Sequence, residues 1–115
     1  MSIDNGLLLL VKSDHYGVDE ADLGAKLVES FLRMLLSSGV LPAKVICQGS
    51  GVLLLTDGSP VLSLFEELAK AGSAIQACAT CLDYYGRRNL LRAGEVGNMQ
   101  DAVRALLSCT KVLQI

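Results

Sequence analysis

Tryptophan is absent from this chain of 115 residues, and aromatic side chains make up only 4% of it. The chain also lacks an excess of positive charge, because its formal net charge is -2 at pH 7. Proteins that bind nucleic acid or an anionic membrane surface usually carry a basic patch, and single-stranded nucleic acids stack on aromatic rings. The composition therefore argues against nucleic-acid and membrane partners.

A long hydrophobic run is missing as well. The N-terminal apolar stretch, residues 6–11, is too short for the core of a signal peptide or for a membrane span, and Asp4 stands where a signal peptide would carry lysine. We therefore expect a cytoplasmic protein. In that compartment the four cysteines are expected to be reduced thiols, catalytic groups or metal ligands, and not a disulfide framework.

Aliphatic side chains, in contrast, are abundant. Hydrophobic residues make up 51% of the chain, which is enough to bury a core within one domain covering residues 1–115. So short a chain has difficulty burying this much apolar surface alone, so part of it is expected between the subunits of a homo-oligomer.

Short apolar runs alternate with helical patterns along the chain. The predicted strands cover residues 7–12, 44–48, 73–77, 95–96 and 111–115, and residues 52–55 fit either a further strand or a buried loop. The predicted helices begin with caps at Asp19, Ser59 and Asn98, and a short helix is predicted over residues 80–85. Alternation with short connections predicts an α/β fold, an open three-layer α/β/α arrangement around a mostly parallel sheet of about five strands.

Apolar residues recur at three- and four-residue spacing in the three longer helices, which predicts the faces that point inward. These positions are Leu23, Leu27, Val28, Phe31, Leu32 and Leu35, then Leu62, Phe65, Leu68 and Ala69, and finally Met99, Val103, Leu106 and Leu107.

Three loops follow predicted strands and are expected to meet at the carboxyl edge of the sheet, where sites form in such folds. They cover residues 13–17, 48–51 and 78–86. The last loop carries Cys78 and Cys81, the two candidate catalytic residues. The supporting candidates on the three loops and just beyond them are Asp14, His15, Ser50, Thr80, Tyr84, Arg87 and Arg88.

A nucleophilic cysteine must be a thiolate, and an ordinary thiol with a pKa near 8.5 is only about 3% ionised at pH 7. The unpaired N–H groups at the start of the short helix would lower the pKa of a neighbouring thiol, and Arg87 and Arg88 could lower it further. His15, the only histidine, is either a catalytic base or an ordinary loop residue.

Other interpretations of the thiols remain open. Cysteine is a common core residue, and both Cys47 and Cys109 are predicted to be core or near-core thiols. Zinc would require these two to converge on Cys78 and Cys81, so neither a metal nor a cofactor is expected. Cys-x-x-Cys also serves thiol–disulfide exchange, although Pro42 and Pro60, predicted to precede a strand and to open a helix, are poorly placed for the proline loop of thioredoxin-like folds. The glycine pair around Ser50 either relieves backbone strain or contacts phosphate.

Several segments together resemble one family. They are Ser13-Asp14, residues 19–24, Gly58-Ser59, residues 78–86 (CATCLDYYG), residues 94–99 (GEVGNM) and residues 111–115 (KVLQI). In this order they resemble the DsrE-like domain of YedF-type proteins, which is similar to DsrE, DsrF, TusD and YchN. The segment from 78 to 86, together with 94 to 99, is the specific part.

The resemblance implies an open parallel α/β fold, assembly as a dimer, trimer or hexamer, and sulfur relay. In relay members a cysteine accepts sulfane sulfur as a persulfide and passes it on, a role that the matching stretch assigns to Cys78. Cys81 would be a second carrier, a resolving thiol or support. YedF-type proteins, which are associated with selenium metabolism, carry a TusA-like domain that these residues lack. The expected partner is therefore a separate TusA-like protein or another sulfur donor or acceptor protein, and the alternative is that the activity is lost. The alternatives are a non-catalytic assembly subunit and a Cys-x-x-Cys redox protein.

Overall fold

A computed structural model describes residues 2–17 and 19–115, and over these residues the chain forms a five-stranded sheet with helices on both faces. The strands are β1 (Ser2–Val11), β2 (Val40–Cys47), β3 (Ala74–Cys78), β4 (Glu95–Gly97) and β5 (Lys111–Gln114). The α-helices are α1 (Ala21–Ser38), α2 (Leu62–Ala71), α3 (Ala79–Tyr84) and α4 (Met99–Ser108), and two 3-10 helices cover Gly49–Leu55 and Arg88–Leu90. The predicted three-layer α/β fold is confirmed.

The order of the strands determines which face each helix covers. All neighbouring strands are parallel, in the order β4-β3-β2-β1-β5. The steps from β1 to β4 run in one direction, so right-handed crossovers place α1, α2 and α3 on the same face. The connection from β4 to β5 runs back across the sheet, and α4 therefore lies on the opposite face.

The core reflects this asymmetry. On the first face the largest cluster packs α1 through Val28 and Leu32, and α2 through Phe65 and Leu68, against alternate strand residues. On the other face a small cluster joins four buried residues, which are Leu8, Leu10, Ile46 and Ala102. A single helix, α4, thus covers this face of the sheet, whereas three helices cover the first face.

Helix starts differ in part from the predictions. Asn98 is the predicted cap of α4, and its Oδ1 accepts the Asp101 N–H at 2.8 Å. The other two predicted starts are wrong: α1 begins at Ala21 after Glu20, and α2 begins at Leu62 after Val61. Ser59 Oγ instead accepts the Val61 N–H at 3.3 Å, so the hydroxyl stabilises a turn ahead of the helix.

The strand alternative for residues 52–55 is wrong, because they belong to the 3-10 helix Gly49–Leu55 with Val52, Leu54 and Leu55 buried. Pro42 also differs from its prediction. It lies inside β2, where it pairs with Asp4 just before the register of β1 and β2 shifts. Proline donates no hydrogen bond, so an irregular stretch of a sheet tolerates it.

Several predicted inward positions are exposed. Leu23 and Ala69 face solvent, while Leu64 is buried in α2. The larger correction concerns α4, where Met99, Val103 and Leu107 are 58%, 45% and 82% exposed. Leu106 faces the sheet as predicted, and the other sheet-facing positions of α4 are Ala102 and Ala105. Alanine allows the helix to lie close to the sheet, which decides the orientation.

Along residues 2–17 and 19–115, no helix has both the length and the apolar character that crossing a membrane requires.

Candidate thiol site

The carboxyl ends of β3 and β4 form the point at which the chain leaves the sheet in opposite directions. Cys78 is the last residue of β3 and pairs with Gly97, the last residue of β4. After Cys78 the chain enters α3 on one face, and after Gly97 it enters α4 on the other. Such divergence opens a crevice at the edge of a parallel sheet, and ligand sites commonly form there.

Cys78 lines a small cavity in this crevice. The cavity measures about 10 Å³, which is close to the space that one water molecule requires. Its other lining residues come from the sheet and from the start of α4; they are Ile46, Gln48, Gln76, Ala77, Gly97, Asn98, Met99 and Ala102. Cys78 is partly exposed. A fully buried Cys78 would have favoured a purely structural role, and Cys78 is not fully buried.

Cys81 lies beside Cys78 because of how α3 begins. Cys78 is the N-cap of α3, and Cys81 is the third residue of the helix. The two residues are three positions apart, and side chains at that spacing are neighbours on a helix surface. The Cys78 thiol is near enough to raise the pKa of Cys81, and the Gly49 N–H donates a hydrogen bond to Cys81 Sγ at 3.2 Å.

The surroundings of Cys81 favour its protonated form. Burial raises the pKa of the Cys81 thiol above its ordinary value, and the neighbouring Cys78 thiol adds to the rise. The hydrogen bond from the Gly49 N–H opposes both effects because it stabilises the thiolate. The two cysteines of the pair are therefore not equivalent in their surroundings.

The backbone conformation and the close packing at position 49 require glycine. Its φ is +55°, a left-handed conformation, and a Cβ there would lie 2.8 Å from the Lys12 carbonyl oxygen. A Cβ on Gly51 would overlap the Val11 carbonyl oxygen. The interpretation of this glycine pair as relief of backbone strain at a close approach is confirmed.

The three predicted loops are connected to one another through this turn. The Asp14 N–H donates to Ser50 Oγ at 3.0 Å, next to the Gly49 that contacts Cys81. His15 Nδ1 lies 2.9 Å from Asp14 Oδ1 and 3.1 Å from Ser13 Oγ. In the described part of the chain, the side-chain hydrogen bonds of His15 therefore stay within its own loop.

The remaining supporting candidates lie on the outer side of α3. Thr80 and Tyr84 are exposed, and the Tyr84 ring makes an edge contact with that of Tyr85 at 5.1 Å between centroids. Arg88 donates from Nε and Nη2 to the two carboxylate oxygens of Asp83 at 2.9 and 2.8 Å, which lowers the pKa of Asp83.

Arg87 lies elsewhere. It lines a separate groove of about 310 Å³ together with Asp14 and the residues around Ser59. Neither arginine is among the groups that shift the pKa of Cys81.

The other two cysteines are remote from the pair in different ways. Cys47 is completely buried in the larger cluster, and burial raises the pKa of its thiol strongly. Cys109 is half-buried against the smaller cluster on the opposite face. Over the described residues, no group of three or more metal-binding side chains comes together.

Solved structures show the same architecture. YchN from E. coli aligns with a TM-score of 0.69 and 18% sequence identity over 97% of this chain and 100% of that one. The chain has a YchN-like fold.

The same comparison finds MTH1491 of Methanobacterium thermoautotrophicum, a protein of unknown function, at a TM-score of 0.70 and 20% identity over 97% of this chain and 100% of that one. BT1422 of Bacteroides thetaiotaomicron, also of unknown function, aligns at 0.61 with 18% identity over 96% and 95% of the two chains. No protein-family model and no curated protein matches the sequence. At these identities the likeness shows the fold, as the resemblance to the DsrE and YchN proteins implied.

Sequence reasoning missed several residues beside the thiols. Gln48, Asn98 and Met99 line the cavity of Cys78, and Gln48 Nε2 donates to Met99 Sδ at 3.7 Å. The short strand predicted over residues 95–96 could have indicated Asn98 and Met99. Residues that follow a strand of a parallel sheet lie at its carboxyl edge, where Cys78 also lies.

Proposed function

We propose that this chain is a sulfur-relay protein in which Cys78 carries sulfane sulfur as a persulfide. The observation that carries the proposal is the position of Cys78, a partly exposed thiol at the end of β3 that lines a cavity between diverging helices. The cavity has room for about one water-sized group. A terminal sulfur atom is a group of similar size, whereas a larger substrate would have to remain outside.

The reaction needs no cofactor. The Cys78 thiolate attacks the outer sulfur of a donor persulfide, a new S–S bond forms on Cys78, and the donor leaves as a thiolate. An acceptor thiolate then attacks the outer sulfur and takes it in the same way. Each step exchanges one S–S bond for another, so sulfur moves without net oxidation.

The partners belong to the proposal too. Donor and acceptor are proteins with exposed thiols, of which a TusA-like protein is the candidate that the family resemblance supplies. The same resemblance to YedF-type proteins supports a link to selenium metabolism, in which selenium would replace the transferred sulfur. We further propose that the chain forms a homo-oligomer through the apolar row Met99, Val103 and Leu107, called here the α4 row.

Mass spectrometry tests the carrier role. Reduced Cys81→Ser, Cys78→Ser and Cys109→Ser proteins are incubated with a low-molecular-weight persulfide and quenched in acid. We expect one added sulfur on Cys81→Ser at all quench times, one on Cys109→Ser, the control at another half-buried thiol, at the earliest quench times, and none on Cys78→Ser. Equal loading of Cys78→Ser would refute the assignment of Cys78.

The placement of both thiols at the start of α3 also favours a second candidate, dithiol–disulfide exchange through Cys78 and Cys81. The reduction potential of the pair distinguishes this function. A potential within the range of cytosolic dithiol oxidoreductases, together with no loading by a persulfide, would favour redox exchange over relay.

A further inference from the structure

The position of Cys81 near Cys78 is defined by the start of α3 and by a hydrogen bond from a different loop. It lies in the first turn of α3, its thiol interacts with that of Cys78, and its sulfur accepts the Gly49 N–H at 3.2 Å. Gly49 itself is fixed, because its left-handed conformation brings it against the Lys12 carbonyl group. The sulfur of Cys81 therefore has a defined position next to Cys78.

This arrangement has a chemical consequence once Cys78 carries a second sulfur. The inner sulfur of the persulfide is Cys78 Sγ, which lies three residues before Cys81 at the start of the same helix. A thiol that attacks the inner sulfur forms a disulfide and expels the outer sulfur, whereas an acceptor in the relay attacks the outer one. Because its surroundings favour the protonated form, Cys81 loses its proton within the step itself, and the Gly49 N–H stabilises the negative charge that then develops on Cys81 Sγ.

We propose that Cys81 resolves the Cys78 persulfide and discharges its outer sulfur as hydrosulfide. The inference rests on the proposed carrier role of Cys78. In this step Cys81 Sγ bonds to Cys78 Sγ, the S–S bond of the persulfide breaks, and the proton of Cys81 ends on the released sulfur. The products are one Cys78–Cys81 disulfide and one hydrosulfide ion for each loaded chain.

The step makes the chain a carrier with a limited holding time. A loaded chain that meets an acceptor passes its sulfur on and keeps both thiols reduced. A loaded chain that meets none releases sulfide and becomes a disulfide, which a dithiol reductant must reopen before the next loading. Cys81 thus sets how long Cys78 stays loaded.

The test compares parent, Cys81→Ser, Cys81→Ala and Cys109→Ser proteins under anaerobic conditions. Each is reduced, loaded with a low-molecular-weight persulfide, separated from the donor, and followed by intact mass and by sulfide assay. We expect parent and Cys109→Ser to release one sulfide per chain and to form the disulfide. Both Cys81 variants should hold their sulfur about tenfold longer or more, because an intramolecular thiol reacts at a high effective concentration.

Other outcomes separate the two proposals. If the parent holds its sulfur as long as the Cys81 variants, resolution by Cys81 is overturned while the carrier role stands. If neither Cys81 variant nor Cys109→Ser takes up sulfur, both proposals fail. If parent protein that was never loaded forms the disulfide at the same rate, persulfide resolution is refuted in favour of plain dithiol oxidation.

Discussion

The four cysteine side chains have very different surroundings, although they share one chemistry. Cys47 is completely enclosed by the core, Cys109 donates from Sγ to the Leu106 carbonyl oxygen at 3.4 Å, and Cys78 and Cys81 meet at the rim of the sheet. A thiol reacts as a thiolate, so burial makes Cys47 inert. Cys78 and Cys81 combine partial exposure with a second thiol that lies three residues away on the same helix start.

The burial of Cys47 makes a prediction about stability and pH. Burial raises its pKa in the folded chain, whereas in the unfolded chain it titrates near the ordinary value of about 8.5. The resulting stabilisation is complete below that ordinary value and is lost as the pH rises above it. The loss approaches about 1.4 kcal/mol per pH unit.

Urea unfolding of parent and Cys47→Ala proteins measures this effect. At pH 7 the variant should be less stable by about 1 kcal/mol, because truncation removes buried contacts. At pH 10 the parent should have lost about 2 kcal/mol of its free energy of unfolding relative to the variant, because only the parent must keep a buried thiol protonated. The variant should then be the more stable protein. A difference that stays constant with pH would contradict the buried, protonated state of Cys47.

At the scale of elements, the 3-10 helix Gly49–Leu55 connects the parts of the site. Its Ser50 Oγ accepts a hydrogen bond from the Asp14 N–H, and its Gly49 N–H donates one to Cys81 Sγ. Its Val52 side chain is buried in the core. Its first residue can adopt this position only without a Cβ. The geometry of the thiol pair therefore depends on a turn that follows a different strand.

Substitution of Gly49 tests that dependence. The free energy of unfolding of Gly49→Ala should fall by about 1–2 kcal/mol, because alanine disfavours the left-handed backbone conformation. It should fall further because the added Cβ would lie too close to the Lys12 carbonyl oxygen. Gly39→Ala is the matched control, because Gly39 has φ +78° with nothing within 4 Å of an added Cβ. Chemical denaturation should show the larger loss for Gly49→Ala; equal losses would show that the close approach is not limiting.

Local elements were predictable to the extent that their causes are local. Strand alternation and the Asn98 cap depend on neighbours in sequence, and both were predicted correctly. The orientation of α4 was not predicted correctly, because apolar residues lie on two sides of this helix. The side that packs against the sheet is the one with Ala102 and Ala105.

The site divides in the same way. The spacing of Cys78 and Cys81 predicts an adjacent pair, and the structure places the two thiols together. Gln48 and Asn98 enter the cavity of Cys78 only because β2, β3 and β4 lie side by side in the sheet. Strand order is a property of the whole chain, and no local spacing reveals it.

At the scale of the whole molecule, the sheet is covered unequally. Three helices lie on one face and α4 alone on the other, and the outer side of α4 carries the α4 row. Met99 belongs both to this row and to the cavity of Cys78. A subunit that docks on the α4 row would therefore lie close to the thiol that we propose as the carrier.

Sedimentation tests the proposed assembly. We expect the parent to sediment as an oligomer and Leu107→Glu to dissociate, because a charge on the row must lose its hydration in an interface. Leu23→Glu is the control, since Leu23 is an exposed leucine on α1. A parent that is monomeric at all concentrations would refute self-association, and equal effects of the two substitutions would refute the role of the α4 row.

The most direct measurement of the central claim is the location of transferred sulfur in the Cys81→Ser protein. Peptide mapping after incubation with a low-molecular-weight persulfide should find one added sulfur on the peptide that contains Cys78. That sulfur should disappear when an acceptor thiol is added. Sulfur found on Cys109, or on no cysteine, would contradict the assignment of Cys78 as the carrier.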